Sequence, residues 1–321
     1  MYELPTPSVF QEALQRVQTH AHLTPVMTSS TLNELLGARI FFKCENFQKV
    51  GAFKFRGAVN KVFSMPDSAL AQGVATASSG NHAQAVALAA KMKGIPAYIV
   101  MPENAPSVKV AAVKGYGAKI TLCKPTLKDR YETLDRVIAE TGAALVHAFD
   151  DYQIIAGQGT ATMELIGQAP PLDLLLAPVG GGGLIGGTAL AAHYFSPSTH
   201  VWGCEPDEAN DAFKSYYSKS FVPSNDPKTL ADGLLTSLGK KNLPIVLEHL
   251  KGVATCSEKA MVDAMLFLWE RMKLVVEPSG AVPLACLLEK KLDIQGRNVG
   301  IILSGGNVDL RKLPWMESSA S

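Results

Sequence analysis

Short apolar runs rich in β-branched residues alternate along the chain with longer stretches whose apolar positions recur at helical spacing. The short runs are "RIFFKCE" (39–45), "GVATAS" (73–78), "AYIVMP" (97–102), "KITLC" (119–123), "ALVHAF" (144–149), "LDLLLAPV" (172–179), "HVWGCEP" (200–206), "GVATCS" (252–257) and "NVGIILSGG" (298–306). Helical patterns fill 81–94, 107–117, 127–142 and 257–273, often ending at glycine. Such alternation predicts an α/β protein with mostly parallel sheets covered on both faces. The compact strand–helix units between 71 and 149 are expected to form a small domain. Residues 1–70 and 150–321 would form a larger, discontinuous one. The last residues, "WMESSAS", read as a frayed tail.

In open α/β sheets, ligands gather where strand carboxyl ends meet loops and helix N-termini. Four features fall at such places: "SSGNH" after 73–78, "VGGGG" after 172–179, "CEPDEAND" around 204–211 and "SGGN" near 304–307. The four consecutive glycines Gly180, Gly181, Gly182 and Gly183 let backbone N–H groups converge on an anion, a phosphate above all. Gly181, Gly183 and Gly186 also satisfy GxGxxG, with Glu205 about twenty residues on, so a nicotinamide cofactor competes on this motif alone. Ser78, Ser79, Gly80, Asn81 and His82 stand at a predicted helix start. One cap residue would suffice there, and the surplus suggests a carboxylate site. "EPSGAV" and "SGGNVD" bring Glu277, Ser304 and Asn307 to further loops. Spacing alone makes Glu205, Asp207, Glu208 and Asp211 an acidic helix start.

Composition narrows the classes. The 321 residues carry a formal net charge of +1 with well-mixed signs, which points to neither nucleic acid nor an anionic membrane. Five scattered cysteines without a CxxC pair fit a reducing, cytoplasmic setting. No signal-peptide pattern opens the sequence, and the apolar stretch 171–192 is broken by glycines rather than built to span a membrane. HExxH, GxSxG and P-loop motifs are all missing from the sequence.

Lys54 lies between Phe53 and Phe55 in "VGAFKFRGAVNKV". It either points to solvent from an alternating strand or is held in a pocket because its amine is used. A phosphate cradle, a carboxylate loop and a lysine among apolar neighbours together suit pyridoxal phosphate. Desolvation lowers a lysine pKa and frees the nucleophilic amine.

With these pieces the sequence resembles the fold-type II pyridoxal-phosphate enzymes, and within them the serine racemase and threonine dehydratase group. The matching segments are 41–58, "SSGNHAQAVA" (78–87), "GIPAYIVMP" (94–102), "IAGQGT" (155–160), "PVGGGGLIGG" (178–187), "ADGL" (231–234), "ERMKLVVEPSGA" (270–281) and "ILSGGNVDL" (302–310), in family order. The resemblance implies two twisted, mostly parallel sheets and a small domain closing over substrate. It makes Lys54 the Schiff-base lysine and sets Phe53 by the cofactor ring. Gly180 to Gly183 would take the phosphate and Asn81 the phenolic oxygen, Glu277 would line the cofactor, and Ser304 would face the pyridine nitrogen. Ser78 to His82 would bind the substrate carboxylate, with Arg130 closing over it. Glu205, the carbonyl of Ala209 and Asp211 become a site for Mg²⁺, Ca²⁺ or Mn²⁺, reversing the reading from spacing.

Ser79 stands where the family's racemases carry a second acid/base and its threonine dehydratases usually carry alanine; hydroxyaspartate dehydratases share "SSGNH". No threonine-dehydratase regulatory segment follows "SGGNVDL". Val50 and Phe149 replace polar residues of the nucleotide site of some members, so ATP activation is not expected. The resemblance therefore implies a cytoplasmic homodimer that racemises serine and dehydrates it to pyruvate and ammonia. The alternatives are a dehydratase of threonine or L-threo-3-hydroxyaspartate and, in a different class, a catalytically silent amino-acid or cofactor binder.

Overall fold

The computed structural model describes residues 4–316. Its ten strands are β1 (Val26–Met27), β2 (Arg39–Cys44), β3 (Val74–Ala77), β4 (Ala97–Pro102), β5 (Lys119–Cys123), β6 (Ala144–Leu145), β7 (Leu174–Pro178), β8 (His200–Pro206), β9 (Gly252–Cys256) and β10 (Asn298–Leu303). They form a six-stranded sheet in the order β1-β2-β10-β7-β8-β9 and a four-stranded sheet in the order β5-β4-β3-β6. Among the strands of the described residues, only the β1–β2 pair is antiparallel. The pattern predicted every strand except the two-residue β1, and at 144–149 the strand is only Ala144–Leu145. Of the expected frayed tail, residues 317–321 lie outside the described residues, whereas Trp315 stands edge-on to Trp269 with ring centroids 5.3 Å apart.

The central pair β10 and β7 is almost wholly apolar because helices cover both faces. Ile301 of β10 pairs with Phe42 on one side and Leu176 on the other, and all three are fully buried. Each such side chain contributes about 1.5–3 kcal/mol by leaving water. Prolines close β4, β7 and β8 at Pro102, Pro178 and Pro206. A proline there donates no ladder hydrogen bond, so the chain can leave the sheet at these ends.

Lys54 does not lie on a strand. It is the first residue of the helix Lys54–Ser64, so the Phe53/Phe55 alternation was no guide to its direction. That helix packs between Asn81–Lys93 and Tyr152–Gln168. Close approach to the second is set by glycine: a Cβ at Gly157 would stand 2.7 Å from Gly57 Cα. Tyr152–Gln168 also meets Gly183–Phe195, where a Cβ at Gly187 would stand 2.3 Å from the Ile155 carbonyl oxygen. The helices bearing Lys54 and the glycine run are thus both tied to one intervening helix.

A buried ionic cluster anchors the same region. Arg56 donates to Glu45 from Nε (2.7 Å) and Nη2 (2.8 Å) and to Glu164 from Nη1 (2.8 Å) and Nη2 (2.7 Å). Lys43 Nζ lies 2.7 Å from Glu164 Oε2 and donates to the Thr24 carbonyl and to Gln168, each at 2.7 Å. Two cations face two carboxylates, so the cluster is formally neutral. Burial raises the Glu45 pKa, but Arg56 outweighs it and holds the carboxyl below its ordinary value.

Candidate active site

The loops after β3, β6, β7 and β10 converge on a cavity of about 500 Å³. Phe53, Lys54, Ser78 to His82, Arg130, Gly180 to Gly183, Glu277 and Ser304 all line it. Sequence reasoning missed Ala148, Lys109, Asp232 and Ser279, which also face it. Asp232 and Ser279 lie inside the matching segments 231–234 and 270–281, whereas Ala148 and Lys109, the latter on the helix Ser107–Gly115, carry no motif.

Lys54 is held at the cavity wall, with Nζ donating to the Ala148 carbonyl at 2.9 Å. Burial pushes its pKa down to about 8, against the opposing pull of Glu277. Phe53 lies under it, with Nζ 5.1 Å from the ring centroid, and the Phe53 N–H donates to the Ser304 carbonyl at 2.9 Å. Two residues from the Ala148 acceptor, the Val146 carbonyl lies 3.1 Å from His82 Nε2. Burial, and then the charge of Lys54, push His82 down to about 3, so its ring is neutral at ordinary pH and Nε2 carries the proton donated to that carbonyl.

The serines of "SSGNH" do not cap the helix that follows. Gly80 occupies the cap position, no side chain caps the Asn81–Lys93 helix, and a Cβ at Gly80 would meet nothing within 4 Å. First-turn N–H groups have no intrahelical acceptors, so an open helix end faces the cavity. Gly182 likewise begins the helix Gly183–Phe195 at φ +93°, a conformation that favours glycine. A Cβ at Gly181 would stand 2.3 Å from the Phe149 ring. The glycine run therefore fits tightly behind while presenting bare backbone in front.

Asn81 has a fixed orientation. Its Nδ2 donates to Glu277 Oε1 at 2.9 Å, and its Oδ1 accepts from Asn307 Nδ2 at 2.9 Å. The same Nδ2 lies 3.2 Å from Glu277 Oε2, so both carboxylate oxygens engage the amide nitrogen and a ligand would share its hydrogens with them. Burial, then Asp232, push Glu277 up to about 7 despite the hydrogen bond from Asn81. Asp232 itself pairs with Lys109 at 2.5 Å.

Glu205, Ala209 and Asp211 stand together away from this cavity, at the end of β8 and the following turns. Glu205 accepts from the N–H groups of Ala212 (3.1 Å) and Phe213 (2.7 Å). Both carboxylate oxygens of Asp211 are buried without a hydrogen-bond partner among the described residues. Burial and then Asp211 push Glu205 well above the usual carboxyl range, and burial lifts Asp211 to about 6. A buried acid without donors, Asp211, beside a second buried acid fits a hard cation. Among the described residues no group of three or more His, Cys, Asp or Glu could hold a metal ion. The expected set is smaller in side chains, two carboxylates and a carbonyl.

Comparison with known proteins agrees with this geometry. Residues 17–305 match the family model described as pyridoxal-phosphate dependent enzyme. The chain is 47% identical over 312 residues to the beta-hydroxyaspartate dehydratase of Paracoccus denitrificans, covering 97% of this chain and 99% of that protein. It is 46% identical to the serine racemase of Dictyostelium discoideum, covering 94% and 95% respectively. The solved structure of maize serine racemase superposes with a TM-score of 0.95 at 43% identity, covering 99% and 98%. GxGxxG is then a by-product of the glycine run. An amine of depressed pKa, an open glycine-led helix end and relatives matched almost end to end agree: the chain belongs to the pyridoxal-phosphate dependent enzymes of fold type II.

Proposed function

We propose that this enzyme racemises serine and also eliminates its β-hydroxyl, giving pyruvate and ammonia. The observation that carries the proposal is the placing of Lys54, its pKa lowered to about 8, in one cavity with Ser79. When bound, pyridoxal phosphate supplies the electron sink for charge developing at the substrate Cα. The protein residues fit that group. Lys54 would hold it and then take the Cα proton at Nζ, returning to the Ala148 carbonyl when free. Gly180 to Gly183 and the following helix end would bind the phosphate, and the Asn81 amide the phenolic oxygen. Ser304, a neutral hydroxyl, would hold the pyridine nitrogen without fully protonating it. Backbone N–H groups of Ser78 to His82 would bind the substrate carboxylate, and Ser79 Oγ would return a proton from the opposite face. In this reading the strand–helix units of 71–149 form a small domain that closes the cavity, and the enzyme is a cytoplasmic homodimer.

Ser79→Ala is expected to reduce D-serine formation about 10²-fold or more, the usual worth of a positioned acid/base, while pyruvate formation stays within a few-fold. Both products are followed in one reaction. Equal loss of both would contradict the assigned role.

A second reading is favoured by Arg130. Its Nε is buried without a hydrogen-bond partner among the described residues, and it lines the cavity. A substrate with a second carboxylate, such as L-threo-3-hydroxyaspartate, would satisfy it by a charge-assisted pair. Arg130→Met would then raise KM for hydroxyaspartate about tenfold or more and barely change that for serine. Similar effects on both would remove this preference.

We also propose that Glu205, the Ala209 carbonyl and Asp211 bind Mg²⁺ or Ca²⁺. Asp211 is raised from 3.8 to about 6, so without a cation the native state holds extra protons and stability falls as pH rises across that window. A cation at about a hundred times its Kd should restore roughly 2.7 kcal/mol at pH 7. Thermal melts with chelator, with Mg²⁺ and with Ca²⁺ check this. An unchanged melting temperature would count against the site.

A further inference from the structure

On the outer face, far from the cavity, the helix Gly183–Phe195 and the helix Asn242–His249 both end in histidine-bearing turns. His193 and His249 face each other with ring centroids 4.7 Å apart and planes 49° apart. They line a second cleft with His200, Glu248 and Lys251. His249 Nε2 is buried and has no hydrogen-bond partner among the described residues. We propose that this imidazole pair binds one divalent late-transition-metal ion of the zinc or nickel class.

Three observations carry the proposal. Two imidazoles on one ion, each at about 2.0–2.1 Å, place their ring centroids about 5 Å apart near a tetrahedral angle, close to the separation present here. The buried, unpartnered Nε2 of His249 offers a lone pair when the ring proton sits on Nδ1. Two helix C-termini converge here, and their partial negative charge favours a cation. Glu248 adds an exposed carboxylate on the same side, offsetting Lys251. Water would complete the coordination, since among the described residues no third His, Cys, Asp or Glu joins the pair. Imidazole donors select this metal class, in contrast to the oxygen donors of Glu205 and Asp211. The ion would join the far ends of two helices whose near ends meet at Gly182, where a Cβ would stand 2.6 Å from Asn242 Cβ.

The test is calorimetric titration of the holoenzyme with nickel(II), with excess Mg²⁺ present to occupy the oxygen site. One ion per chain is expected, with affinity about tenfold or more weaker in His193→Ala and in His249→Ala. His193 is exposed, so its variant remains informative if the His249 variant misfolds. Unchanged affinity and stoichiometry in His193→Ala, or no binding to the unaltered holoenzyme, would overturn the proposal.

Discussion

Lys54→Ala is expected to remove turnover by at least about 10³-fold, because in the proposed function one side chain would both hold the cofactor and move the Cα proton, and general-base roles alone contribute 10²–10⁴. The variant should also leave no pyridoxal group on the protein after borohydride reduction and mass measurement. The structure explains why this lysine suits the task. It heads a helix, its amine is held 2.9 Å from the Ala148 carbonyl, and burial brings its pKa to about 8. The sign of the pH dependence follows: an ammonium has no lone pair, so cofactor capture by the cofactor-free protein should accelerate as pH rises to about 8 and level off above it. Turnover by Lys54→Ala comparable with the unaltered enzyme would end the account.

Arg56→Leu is expected to cost about 3–5 kcal/mol of stability, the range for breaking a buried ion pair by removing one partner. The substitution would strand Glu45 and Glu164, which accept four hydrogen bonds from the guanidinium among side chains almost wholly excluded from water. Arg56→Lys would keep the charge and lose the planar fork, so it should recover only part of the loss. Urea unfolding with unchanged slope checks both variants. A loss near 1 kcal/mol or less, of the order expected for an exposed pair, would show that the cluster relaxes or admits water.

Strands β2 to β10 were legible because buried parallel strands concentrate apolar and β-branched residues. Helices with clear periodicity were legible for the same reason. Lys54–Ser64 and Tyr152–Gln168 were harder. In Tyr152–Gln168 the buried positions include Gly157, Gln158, Gly159, Thr160 and Thr162, which obscure any apolar stripe. Its tertiary packing against three other helices, Pro7–His20, Lys54–Ser64 and Gly183–Phe195, and not its local pattern, explains those residues.

Many of the cavity residues could be named from motif order because the motifs of 78–82, 180–183 and 304–307 sit at strand ends, whereas Glu277 follows a helix and Arg130 lies within one. What motifs could not convey is mutual contact. Asn81, Glu277 and Asn307 come from three separate segments and meet only in the fold. The sequence also left the direction of Lys54 and the identity of the helix cap open. Backbone geometry decides both, placing Lys54 at a helix start and Gly80 at the cap.

The most direct measurement is an incubation of the purified holoenzyme with L-serine and Mg²⁺ that quantifies D-serine and pyruvate together, beside a parallel incubation with L-threo-3-hydroxyaspartate. The account predicts both D-serine and pyruvate from L-serine. Absence of both from L-serine, with rapid ammonia release from hydroxyaspartate, would contradict the serine reading and leave Arg130 as the residue that sets the substrate.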